Sequence, residues 1–130
     1  MSIQPRKPIR SYRDLEVWQK GVQLVVDCYQ LTRSLPRPEQ YGLTSQIQWS
    51  AAAVPANIAE GHGRDHLGDY LHHLSIAKGS LMELETHLIV ANRLTFVTQK
   101  DLDRTLEKTA EVGRMLEGLA RKLREIKART

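Results

Sequence analysis

Apolar residues recur along this chain at intervals of three and four, the spacing that lines one face of an α-helix. From Asp14 the positions Leu15, Trp18, Val22, Val25 and Tyr29 keep that step, with Leu24, Cys28 and Leu31 widening the stripe. They predict a first helix over about 14–34, ended by Pro36 and Pro38. Leu43, Ile47, Ala51, Val54 and Ile58 mark a second helix from 43 to about 61. Pro55 inside it removes a backbone donor and crowds the carbonyl four residues back, so a kink, or a fresh start after Val54, is expected there. Beyond Gly61 and Gly63 a third helix, about 65–93, carries Leu67, Tyr70, Leu74, Ala77, Leu81, Leu84, Leu88 and Ala91, a repeat too long to arise by accident. At 1.5 Å per residue that helix is roughly 40 Å long. Thr98 and Asp101 supply an N-cap and a first-turn acid for a fourth, in which Leu102, Thr105, Thr109, Val112, Leu116, Leu119, Leu123 and Ile126 repeat the spacing.

Four helices with short connections predict an all-α fold, an antiparallel up-down four-helix bundle spanning residues 14–130. Residues 1–13 contain Pro5 and Pro8 and no helical period, and are expected to form a flexible basic arm. Helices 3 and 4 carry more apolar positions than one internal core needs, which points to self-association.

Composition supports this reading. The 130 residues are 41% apolar but only 5% aromatic, as suits aliphatic side chains interdigitating between helices. A single cysteine, Cys28, excludes an intrachain disulfide and fits a reducing, cytoplasmic setting. No segment has the length and apolarity of a membrane span, and the N-terminus lacks a signal-peptide core, so no membrane association is expected. Nineteen Lys and Arg against 15 Asp and Glu give a net charge of +4, which permits binding to polyanions without requiring it.

Four ordered blocks resemble a known family. They are Tyr12-Arg-Asp-Leu-Glu-Val-Trp-Gln-Lys20, Tyr41-Gly-Leu-Thr-Ser-Gln-Ile47, Val54-Pro-Ala-Asn-Ile-Ala-Glu-Gly-His-Gly-Arg64, and Tyr70-Leu with Gly79-Ser-Leu-Met-Glu-Leu-Glu-Thr86. Together they resemble the four-helix-bundle family encoded in intervening sequences of 23S rRNA genes, distantly related to the accessory variability determinants of diversity-generating retroelements. The resemblance implies an up-down bundle assembled as a ring of five subunits, with no enzymatic activity; the distant branch implies basic pentamers that bind nucleic acid. Trp49 and Ser50 depart from the basic or small residues of many relatives, which argues against a basic patch on helix 2.

Candidate chemistry is sparse. Asn57, Glu60 and Arg64, with His62, form the densest polar group, read here as a structural cluster in which Asn57 satisfies carbonyls freed by Pro55. A di-iron bundle needs two Glu-x-x-His pairs, and none occurs; Asp69 with His72 is the nearest match. His62 and His66 are four apart but His62 is flanked by glycines and expected in a loop, so no metal site and no cofactor are expected. Cys28 lies on the apolar stripe of helix 1 and no nucleophile motif surrounds Ser75 or Ser80, so no catalytic residue is assigned. Cations concentrate at the two ends of the chain. Arg6, Lys7, Arg10 and Arg13 precede the first acid, and Arg114, Arg121, Lys122, Arg124, Lys127 and Arg129 crowd helix 4. Five copies would carry a charge of about +20, a field able to hold phosphates. The expected function is therefore a non-catalytic homo-oligomer that binds the backbone of RNA or DNA through these ten residues. The alternative is a protein adaptor that docks an acidic partner without binding nucleic acid.

Overall fold

The structure, a computed structural model, describes residues 8–130. The first turn is set locally. Ser11 caps a 3-10 turn at Tyr12–Asp14, accepting from the Arg13 amide while Asp14 accepts from the amides of Arg10 and Ser11. Helix α1 (Glu16–Leu31) follows, then two further 3-10 turns, Thr32–Ser34 and Arg37–Glu39, the second with Pro38 inside it. Helix α2 spans Leu43–His62, α3 Leu67–Arg93 and α4 Gln99–Arg129. Thr98 caps α4 as its sequence predicts, its hydroxyl accepting from the Asp101 amide at 3.1 Å.

Each helix packs against its neighbours in sequence, and α1 closes the square against α4. The paired positions run in opposite senses along the seam of α1 with α2 and that of α3 with α4. On α1 and α2, Gly21 faces Pro55 while Thr32 bonds Gln48. On α3 and α4, Gly68 meets Lys127, Lys78 meets Glu117, and Glu85 meets Thr109. The bundle is therefore all-α and up-down, with α2 and α3 making the most extensive contact.

The core lies where the periodicity of α3 and α4 puts it. Tyr70, Leu74, Ala77, Leu81, Leu84, Leu88 and Ala91 are buried on α3, and Leu102, Thr105, Thr109, Val112, Leu116, Ala120 and Leu123 on α4. Each fully buried Leu contributes roughly 1.5–3 kcal/mol through burial alone. One expectation needs correction. On α1 the buried line is Val17, Gly21, Leu24 and Cys28, so Leu24 and Cys28 lie in the core as predicted while Trp18, Val22 and Val25 are only half-buried and Tyr29 is exposed. Helix α1 carries two overlapping apolar stripes, and on the buried one Gly21 packs closely on Pro55, a Cβ at Gly21 standing 3.4 Å from the Pro55 Cβ, in van der Waals contact. Of the two alternatives at Pro55 the fresh start does not occur, because α2 runs unbroken from Leu43 to His62. Pro55 is buried against α1, where a proline ring packs as any apolar side chain does.

Candidate nucleic-acid interface

An even number of antiparallel helices returns the chain to the end where it began. The N-terminus of α1, the turn between α2 and α3, and the C-terminus of α4 therefore share one end of the bundle. Dividing the helices at their midpoints, the half formed by residues 8–23, 53–80 and 114–130 holds eleven Lys or Arg against seven Asp or Glu. The opposite half holds six against eight. The modest overall charge is thus strongly polarised, and basic segments about 100 residues apart in sequence converge in space.

Arg10, Arg13, Arg114, Arg121, Lys122, Arg124, Lys127 and Arg129 are all exposed at or toward this end; Arg6 and Lys7 lie outside the described residues. They are not equivalent. Arg13 stacks over the Tyr12 ring, 5.6 Å from its centroid. Arg114, Arg121 and Arg124 lie along the edge of α4 that faces α3, where they line two clefts with Lys78. Lys127 reaches the start of α3 at Gly68. Lys78 donates to Glu117, whose other oxygen is 3.9 Å from Arg124. That hydrogen bond, the Lys78 charge, and then Arg124 and Arg121 hold the Glu117 carboxyl below its usual range. Among the described residues Arg114, Arg121, Lys122, Lys127 and Arg129 make no ion pair, so their charge is available to a ligand.

The polar cluster of Asn57, Glu60 and Arg64 is assembled differently from expectation. Asn57 donates to the Ala53 carbonyl at 2.8 Å, whereas the carbonyl opposite the missing Pro55 donor belongs to Ala51. Its remaining oxygen accepts from His73 of α3 at 3.1 Å, which places the proton of the neutral ring on Nδ1. Spacing along the chain does not single out His73, because its partner lies on another helix. Glu60 pairs with Arg64 at 2.8 Å and stands 3.9 Å from His73 Nε2. His62 is the last residue of α2, not part of a loop, and meets Tyr70 edge to ring at 5.8 Å. The cluster thus ties α2 to α3 beneath the basic end. Tyr70 is buried with its hydroxyl unpaired, and burial pushes that hydroxyl up to about 12. Cys28 is fully buried, and desolvation first, with Asp27 beside it, pushes its thiol up to about 12, so it is poorly suited to act as a nucleophile.

A third surface is charge-free. Tyr12, Trp18, Val22, Val25 and Val26 of the N-terminal turn and α1, with Ala52, Pro55, Ala56 and Ala59 of α2, line an open apolar trough of about 350 Å³. The same side of the bundle exposes Trp49 at 78% and Tyr29 at 47%. Trp18, Val22 and Val25, which the sequence placed in the α1 core, line this surface instead.

Among the described residues no group of three or more His, Cys, Asp or Glu is placed to hold a metal ion, and no helix is long and apolar enough to cross a membrane. The fold and its surfaces define a four-helix bundle with one basic end and one apolar side. More particularly, residues 13–118 match the family of 23S rRNA-intervening sequence proteins, and the chain belongs to that family. A solved structure with the same fold is a protein of unknown function from the S23 ribosomal protein family of Bacteroides thetaiotaomicron. It is 22% identical with a TM-score of 0.75, the match covering 81% of this chain and 95% of that one. No curated protein matches the chain.

Proposed function

We propose that this protein is a non-catalytic homo-oligomer, pentameric as its family resemblance implies, that binds the phosphate backbone of RNA or DNA in the cytoplasm through its basic end. One observation carries the reading: the up-down topology gathers Arg10, Arg13 and the α4 cations at one end, while the opposite half carries a slight excess of acid. Cations clustered on one face raise the local concentration of polyanions and release counterions on binding. A ring that set these ends side by side would multiply the field. The exposed, charge-free Trp49 side of α1 and α2 favours self-association, since apolar surface of this kind is costly to leave in water. It is also the observation that favours the second reading, an adaptor whose Trp49 side docks another protein. Filter binding separates the two. At about 50 mM salt the protein retains single- or double-stranded RNA and loses it when Arg121 and Arg124 are reversed to Glu; no retention at low salt leaves the adaptor.

A further inference from the structure

Between α3 and α4 two clefts, of about 580 Å³ and about 180 Å³, lie end to end and together make a furrow, crossed where they meet by the Lys78–Glu117 pair that lines both. Its α3 wall from Leu71 to Glu85 is roughly 21 Å long. Lys78, Arg114, Arg121, Arg124 and Lys127 stand along its rims or at its basic mouth, against only two acids, Glu85 and Glu117. Both acids are already engaged: Glu85 accepts from the buried Thr109 hydroxyl and Glu117 from Lys78. The floor is different in kind. Met82, 45% exposed, Ala110 and Gly113 line it.

From this geometry, and resting on the nucleic-acid reading above, we infer that the furrow is the binding track for a single strand of nucleic acid. A strand laid along it sets its phosphates against the rim cations and its sugars over the small apolar floor. A duplex presents phosphates on a wide convex surface, touches the rims alone and leaves Met82 and Gly113 uncovered. The furrow holds no aromatic ring, so bases gain no stacking partner and sequence preference is weak. The Lys78–Glu117 pair works as an internal competitor, because Glu117 occupies charge that the strand would otherwise use.

Fluorescence anisotropy with a labelled 15-nucleotide single strand and the matching duplex tests this. The single strand is expected to bind at least tenfold more tightly. Reversing Arg114 and Arg121 to Glu is expected to cost that strand at least tenfold, and several-fold more than reversing Lys122 and Arg129, which belong to the basic end but line neither cleft. Arg114→Gln with Arg121→Gln repeats the comparison at lower perturbation, and Glu117→Gln is expected to tighten binding about threefold. Equal binding of strand and duplex, or equal loss from the two pairs of reversals, overturns the furrow while leaving the basic end in place. Absence of binding to either probe overturns both.

Discussion

Gly61 near the end of α2 and His73 on α3 approach so closely that a Cβ on Gly61 would stand 2.8 Å from the Cβ of His73 and 3.0 Å from the Tyr70 ring. Neither the His73 Cβ nor the ring edge can swing aside as a flexible tip would, so this approach fixes the spacing of the two helices that pack most extensively. It also holds His73 where it can donate to Asn57.

Gly61→Ala is therefore expected to destabilise the fold by about 1–3 kcal/mol, overpacking outweighing the better helix propensity of alanine. Gly118, in the interior of α4, has nothing within 4 Å of its Cβ position. Gly118→Ala is expected to stabilise by roughly 0.5–1 kcal/mol. Urea denaturation followed by circular dichroism measures both, and the opposite signs make the comparison decisive.

Thr95 ends α3 in a conformation that suits glycine. Its φ is 67°, with Phe96 donating to the Ala91 carbonyl and Thr95 to that of Asn92. This is the paired hydrogen bonding of a helix terminus whose left-handed position glycine usually fills, and a β-branched residue there is strained. Thr95→Gly is expected to raise stability by about 1 kcal/mol, read as a higher melting temperature with an unchanged spectrum.

Cys28 and Tyr70 predict loss of stability in alkali. Burial holds the Cys28 thiol neutral, from an ordinary 9.0 up to about 12, and the Tyr70 hydroxyl from 10.0 up to about 12. Because both folded values lie above the unfolded ones, the contribution is whole below pH 9 and falls away as pH rises toward 12. At 1.36 kcal/mol for each factor of ten, Cys28 alone accounts for roughly 4 kcal/mol across that window. Cys28→Ala trades that alkaline lability for a small cavity, so its stability is expected to vary less between pH 8 and 11 than that of the parent. Urea midpoints at each pH provide the measurement.

The Trp49 side predicts a change of assembly. Trp49→Glu puts a charge on a surface that carries none and is expected to lower the mass seen by light scattering coupled to size exclusion, with helicity retained. Unchanged mass would remove this side from the proposed interface between subunits.

Much of the fold is legible in the residues themselves. Helices α3 and α4 hold one apolar stripe each, so Leu74 to Ala91 and Leu102 to Leu123 identify their buried faces, except that Ala120 and not the predicted Leu119 is buried. Ile126, at 37% exposure, marks where α4 outruns the core. On α1 the periodicity is ambiguous between two stripes one residue apart, and contacts such as Gly21 with Pro55 are approaches between helices that no local pattern contains. The candidate site divides in the same way. The cations are visible as two clusters, but their convergence is a property of topology, and the partnership of Asn57 with His73 across 16 positions belongs to the packing of α2 on α3.

The polarised charge of the bundle is tested most directly by the salt dependence of RNA binding in two charge-reversed proteins. Reversal of Arg121 and Arg124 at the basic end is expected to lower affinity at least tenfold. It is also expected to flatten the plot of log affinity against log salt by about 0.7 for each single-strand phosphate that the protein no longer neutralises. Reversal of Arg33 and Arg37 at the opposite end is expected to change neither. Equal effects from the two reversals, or an affinity indifferent to salt, would contradict binding through the basic end.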